Sequence, residues 1–218
     1  MDVSGKVCII TGAAQGLGLA CAARLLEAGA RLCISDLNQT KGQLSLSHLR
    51  ERFGEDKVCF VKCDVTKEKE FINLFDKTEE FFLVSCVDLL VNNAGIGANH
   101  GWRPCLEVNI MSVMLGTQIA LERMRKANKA GQIINTASMA ALGPGVNEAM
   151  VSYTASKHGV VALTRSLALA GGGSGVAHKA ICPSYVDTEI VRAVQTRQDQ
   201  IALTKSVKVR VLTPDSSV

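Results

Sequence analysis

At 218 residues, with 47% hydrophobic and 20% charged side chains, the chain suits one globular domain with a sizeable core and is neither disordered nor fibrous. Its formal net charge of +4 is spread over predicted helices rather than clustered, which leaves no footprint for nucleic acid or a membrane surface. No apolar run reaches the roughly 18 residues of a membrane span; eight cysteines lack Cys-x-x-Cys spacing, and the N-terminus has no signal-like apolar core, so reduced core thiols in a cytoplasmic protein are expected.

Lys6 to Thr11 is short, apolar and β-branched and stops at Gly12, which predicts a buried strand. Gly12-Ala-Ala-Gln15-Gly16-Leu17-Gly18 follows and opens a segment with Leu17, Cys21, Leu25 and Ala28 at helical spacing. Strand, glycine turn and helix together bring bare backbone N–H groups and a helix N-terminus against a phosphate. The spacing is G-x-x-x-G-x-G, and taken alone it is equally a glycine-rich turn that binds nothing. Arg31 to Asp36 is the next strand, with an acid at its tip 24 residues after Gly12. A carboxylate there accepts hydrogen bonds from both ribose hydroxyls of an adenosine and repels a 2′-phosphate, which favours NAD over NADP. The same Asp could instead cap the following helix.

A helix over residues 38–53 leads to a strand over 57–63, Asp64-Val65 at a turn, and an amphipathic helix over about 67–82. Cys59 and Cys63 lie about 13 Å apart along that strand at about 3.3 Å per residue, so they cannot share a metal, and no metal site is expected. Val87 to Val91 is a fourth strand, ended by Asn92-Asn93-Ala94-Gly95. A helix over about 103–124 carries Leu106, Ile110, Val113, Thr117, Ala120 and Met124 on one stripe, with Asn109 beside it as a packing or a functional residue. Gln132 to Thr136 is strand five. Beyond a linker containing Gly143-Pro144-Gly145, a helix over about 151–169 ends in the Gly171–Gly173 run. Val176 to Cys182 is strand six. Strands alternating with helices of this length predict an α/β fold with a doubly wound, Rossmann-like parallel sheet of six strands. The domain is expected over 1–190, followed by a divergent tail over 191–218 in which Lys205 to Val218 offers no seventh strand.

The stretch Ser138 to Lys157 places a serine at the end of strand five, then Tyr153 and Lys157 four residues apart on one helix face. Active sites of open α/β sheets gather at that edge. An ammonium close to a phenol favours the phenolate, so Lys157 is expected to lower the Tyr153 pKa and make it a proton donor and acceptor near neutrality. In isolation a Tyr-x-x-x-Lys pair is more often a solvated helix surface.

Taken together, Thr11-Gly12 to Gly18, Asp36, Asp64, Asn92 to Gly95, Asn109, Ser138, Tyr153 with Lys157, and Pro183 to Thr188 resemble the short-chain dehydrogenase/reductase family over about residues 5–190. The resemblance implies oxidation of a secondary alcohol, of the hydroxylated fatty acid type, with NAD as cofactor. Ser138 would bond the reacting oxygen, Tyr153 would take the alcohol proton, Lys157 would tune the tyrosine and hold the nicotinamide ribose, and Asn109 would anchor a water. Gly12, Gln15, Gly16, Leu17 and Gly18 would surround the pyrophosphate. Asp64 and Val65 would lie near the adenine and Val186, Asp187 and Thr188 near the carboxamide, with Leu37, Cys63, Asn92 and Asn93 also among the cofactor contacts. The family's habit implies a homodimer through the helices of Asn109 and Tyr153. Pro183-Ser184 replaces the family's Pro-Gly, Met150 stands three residues before the tyrosine, and the glycine run departs from the pattern. Those departures leave open a second function: a variant chain that binds nucleotide with little catalysis.

Overall fold

The computed structural model describes residues 2–143, 148–171, 175–184 and 209–212. Its sheet has the order β3-β2-β1-β4-β5-β6-β7. The strands are β1 (Val7–Thr11), β2 (Arg31–Asp36), β3 (Val58–Lys62), β4 (Leu89–Asn92), β5 (Gly131–Thr136), β6 (Val176–Pro183) and β7 (Val209–Leu212). The first six are mutually parallel, as the alternation of strands and helices predicts. Strand order reverses direction between β1 and β4, the position at which doubly wound sheets open a crevice beyond their C-terminal ends.

Period-two alternation gives the sheet two apolar faces. Cys8, Ile10, Leu32 and Ile34 point into one core with Leu26 and Leu46, which come from α1 (Gly16–Glu27) and α2 (Gln39–Phe53). Ile9, Cys33, Leu90 and Ile133 point into the other with Phe71, Phe75, Ile119 and Met124, from α3 (Glu68–Phe82) and α5 (Ser112–Lys126). A smaller cluster joins Val113, Ala137 and Cys182 to Val160 and Val161 of α6 (Val151–Ala170). All eight cysteines are free; seven are buried, and Cys21 is half-buried. Cys33 and Cys59 sit directly opposite one another on β2 and β3.

Two expectations change. The predicted helix over 103–124 is longer and interrupted: α4 (Trp102–Leu106) passes through a wider π-turn at Glu107–Met111 into α5. The widened turn sits at Asn109, and turns of this kind recur at functional sites. Among the described residues, Trp102–Lys126 is the one helix long and apolar enough to cross a membrane, yet half of that stretch is buried inside the protein. The second change concerns the missing seventh strand. Val209–Leu212 pairs antiparallel with β6, Val209 opposite Pro183 and Leu212 opposite Ala180, so β6 is not the bare edge that the sequence implies. An antiparallel edge strand needs no continuous apolar run, and four residues, Val-Arg-Val-Leu, are too few for a periodic signal.

Candidate active site

The cleft edge is first made rigid. Thr11, the polar end of β1, accepts hydrogen bonds on Oγ1 from the backbone N–H groups of Asn93 and Ala94, both at 3.0 Å. Asn93 returns the tie, its side-chain amide donating to the carbonyls of Thr11 (3.0 Å) and Gly12 (3.1 Å). Thr136 at the end of β5 donates to Asn93 Oδ1 at 3.5 Å. Three strand ends thereby share one polar knot. Asn92, expected to touch the cofactor, does not reach the cleft. It lies directly opposite Asn135, and its buried amide donates to Asn135 Oδ1 (2.9 Å) and Thr117 Oγ1 (3.3 Å), while Asn135 donates to Thr164 Oγ1 (2.9 Å). Its face of β4 is that of Leu90, turned toward α5 and away from the crevice.

Along one wall, the glycine turn fits a dinucleotide. Gly12 has φ +64°, and a Cβ there would stand 2.7 Å from Ala94 Cα; a Cβ on Gly18 would stand 2.4 Å from the Gly12 carbonyl oxygen. Only bare backbone allows this approach of loop, helix and β4. Helix α1 begins at Gly16 with no side-chain cap and no acid in its first turn, so its leading amides and positive dipole end face the cleft uncovered. Asp36 Oδ2 accepts from Ala14 N (3.1 Å) and Oδ1 from Asn38 N (2.9 Å). Asn38, not Asp36, caps α2, accepting from Lys41 N at 2.9 Å. With about four acceptor positions on a carboxylate and two engaged, Asp36 keeps capacity for ribose hydroxyls. Asp64 holds its turn through Thr66 N (3.0 Å) and Thr66 Oγ1 (2.7 Å).

These residues line a cleft of about 920 Å³, which runs from Gly12, Gln15, Gly16, Leu17 and Gly18 past Asp36, Leu37, Cys63, Asp64 and Val65 to Asn93, Ser138, Tyr153 and Lys157. Val186, Asp187 and Thr188 lie outside the described residues; Pro183 and Ser184, just before them, do line it. His100 and Thr11's knot were not foreseen. The polar Thr ending an apolar run was the available signal for Thr11, and nothing in sequence singled out His100.

At the far end, Ser138 closes β5 and accepts a hydrogen bond on Oγ from Ala140 N at 3.1 Å. Lys157 is buried and donates to the Thr136 carbonyl at 2.8 Å, its Nζ 5.7 Å from the centre of the Tyr153 ring. Burial pushes the Lys157 pKa down to about 8, opposed by the nearby Cys105 and Cys182. Tyr153 departs from expectation. Burial raises its phenol above the ordinary 10.0, and the hydrogen bond with Ser138, not the lysine, pulls it back. Desolvation wins because the ammonium is engaged with Thr136 rather than with the phenol oxygen. Asn109 is fully buried behind the wall: Oδ1 accepts from Ile96 N (2.8 Å), and the amide donates to Ile96 O (2.9 Å) and Ser156 Oγ (3.2 Å). Asn109 Oδ1 and Lys157 Nζ flank Gly95, 3.3 and 3.5 Å from the place of its absent Cβ.

A parallel sheet whose switch-point crevice joins an uncapped helix start and an acid-tipped β2 to a Ser–Tyr–Lys group defines a dinucleotide-dependent oxidoreductase. The chain belongs to the short-chain dehydrogenase family, whose model matches residues 6–199. It is 40% identical to human 15-hydroxyprostaglandin dehydrogenase [NAD(+)] over 203 residues, covering 91% of this chain and 75% of that one. A 3beta-hydroxysteroid dehydrogenase 2 of Eggerthella lenta is 35% identical, covering 86% and 74%. Among solved structures, a short-chain dehydrogenase/reductase from Burkholderia phymatum in complex with NAD superposes with a TM-score of 0.81 at 33% identity, covering 91% of this chain and 73% of that one. NAD as the cofactor agrees with these relatives and with the fit of the glycine cradle and Asp36.

Proposed function

We propose that this chain oxidises the secondary alcohol of a hydroxylated fatty acid, of the 15-hydroxyprostaglandin type, to the ketone. Bound NAD supplies the hydride acceptor. Ser138 Oγ hydrogen-bonds the substrate oxygen, and the Tyr153 phenolate takes the hydroxyl proton. Cationic Lys157, its Nζ 5.7 Å from the centre of the Tyr153 ring, would hold the nicotinamide ribose and favour the phenolate. Asn109 anchors a water through which the proton leaves. Gly12, Gln15, Gly16, Leu17 and Gly18 hold the pyrophosphate, Asp36 the adenosine ribose, and Leu37, Cys63, Asp64 and Val65 the adenine side. Residues 1–190 form the catalytic domain, two copies pair through α5 and α6, and the protein works in the cytoplasm.

The observation that carries this reading is the shared cleft: Ser138 and Tyr153, backed by Lys157, line the same cleft as Asp36 and the glycine turn. Likeness to the prostaglandin enzyme supports the substrate class. Mixing purified protein with NAD and a 15-hydroxyprostaglandin is expected to generate NADH absorbance. NADH from a 3β-hydroxysteroid but none from the prostaglandin would move the substrate to the sterol class.

A further inference from the structure

One polar contact beside the catalytic group has no part in the proton path. Ser156 is fully buried, three residues after Tyr153 on α6, and its hydroxyl donates to the Tyr153 backbone carbonyl at 2.6 Å. Its one hydrogen is therefore committed, and its lone pairs face Asn109, whose amide donates to it at 3.2 Å. That amide has two hydrogens and three neighbours, the Ile96 carbonyl at 2.9 Å, Ser156 Oγ and Cys105 Sγ at 3.4 Å. Ile96 takes one hydrogen at the shortest distance, which leaves the other to Ser156, the better acceptor of the remaining two. A directional chain results, from the Asn109 amide to the Ser156 hydroxyl to the Tyr153 carbonyl. It joins the π-turn at Glu107–Met111 to the first turn of α6, where the helix's own ladder is least complete.

We propose that Ser156 is a positioning residue that fixes the first turn of α6, and with it Tyr153, against Asn109. The inference rests on the catalytic reading of Tyr153 above. Removing the hydroxyl leaves a buried Asn109 hydrogen without its oxygen acceptor and frees the turn on which the phenol stands, so Tyr153 meets Ser138 less squarely.

Two readouts test it, one of them independent of turnover. The chain has two tyrosines, Tyr153 and Tyr185, so 3-fluorotyrosine in a Tyr185→Phe background reports Tyr153 alone by fluorine NMR. Ser156→Ala is expected to raise the titration midpoint of that resonance by about half a unit or more. It should also lower kcat for the 15-hydroxyprostaglandin about tenfold with the KM for NAD unchanged, and Ser156→Cys, which keeps a weak donor and acceptor, should recover part of both. In an Asn109→Ala background the added loss should shrink to less than about threefold, because the partner is already gone. An unmoved midpoint with unchanged kcat, or a full tenfold loss in both backgrounds, overturns the positioning role. Should Ser156→Ala fail to fold, Ser156→Cys carries the test, with an intermediate midpoint expected and a wild-type one overturning it. A protein that makes no NADH yet shows the shifted midpoint would refute the proposed reaction and keep the positioning role.

Discussion

The two ends of the cleft are built from different material. Around β1, β2 and α1 the contacts belong to the backbone: glycines pressed against carbonyls, uncapped helix amides, and one carboxylate held by two N–H groups. Around β5, α5 and α6 they are made by buried side chains: the Asn109 amide donates to the Ser156 hydroxyl, and Ser156 and Lys157 donate to the backbone carbonyls of Tyr153 and Thr136. Backbone recognition tolerates no added atoms, whereas side-chain machinery tolerates shape changes but not the loss of a functional group. The first end should fail by losing packing and affinity, the second by losing rate.

The sharpest separation comes from Tyr153→Phe, which keeps the ring and deletes the oxygen. Turnover is expected to fall by about two to four powers of ten with NAD affinity nearly unchanged, as read by steady-state kinetics beside calorimetric titration. At the opposite end, Gly18→Ala places a methyl 2.4 Å from the Gly12 carbonyl and 2.6 Å from Asn93 Nδ2. Neither neighbour is a flexible side-chain tip, since Asn93 is held by two carbonyls, so a loss of about 1–3 kcal/mol in denaturant unfolding is expected along with weaker NAD binding. Unaltered stability and affinity there would dissolve the contrast. Asp36→Ala should leave kcat largely intact while it erases a preference for NAD over NADP of at least about tenfold, or about 1.4 kcal/mol; equal affinities in the wild type would already remove Asp36 from the ribose.

A smaller effect lies outside the cleft. Buried His178 on β6 has its pKa held below the ordinary 6.5, first by desolvation and then by Arg125. The unfolded chain therefore takes up a proton that the folded chain resists, and stability present above about pH 6.5 is lost as pH falls below it. Cys8 and Cys63 act at the other limit, where burial lifts their thiols to about 12 from an ordinary 9.0. The folded chain keeps protons that the unfolded chain releases, so stability declines as pH rises above 9. Melting temperatures of the cofactor-free protein should peak between these limits, and His178→Gln should flatten only the acidic side.

Much of this was written in the sequence because the signals were local. A β-branched run stopping at glycine marked β1, and the spacing of Tyr153 and Lys157 put them on one helix face whatever the rest of the chain did. What the sequence hid depended on tertiary surroundings. The family resemblance puts Asn92 among the cofactor contacts, but its phase with Leu90 on β4 turns it inward. The direction of the Tyr153 shift depends on burial and on where the Lys157 ammonium finds its acceptor, neither of which spacing reveals. The four residues of β7 pair with a strand more than 20 positions away, too short and too distant for a periodic pattern to announce.

The inward turn of Asn92 bears on how this fold can vary among related chains. Asn92, Asn135, Thr117 and Thr164 exchange hydrogen bonds across β4, β5, α5 and α6, in a place without access to solvent. Changing any one of them strands a partner's donor or acceptor, at about 1–3 kcal/mol, while replacing both members of a pair with apolar groups of the same shape is nearly neutral. Substitution here is therefore expected to proceed in steps of two: Asn92 and Asn135 should drift together, and a lineage that loses one amide should be found to have lost the other.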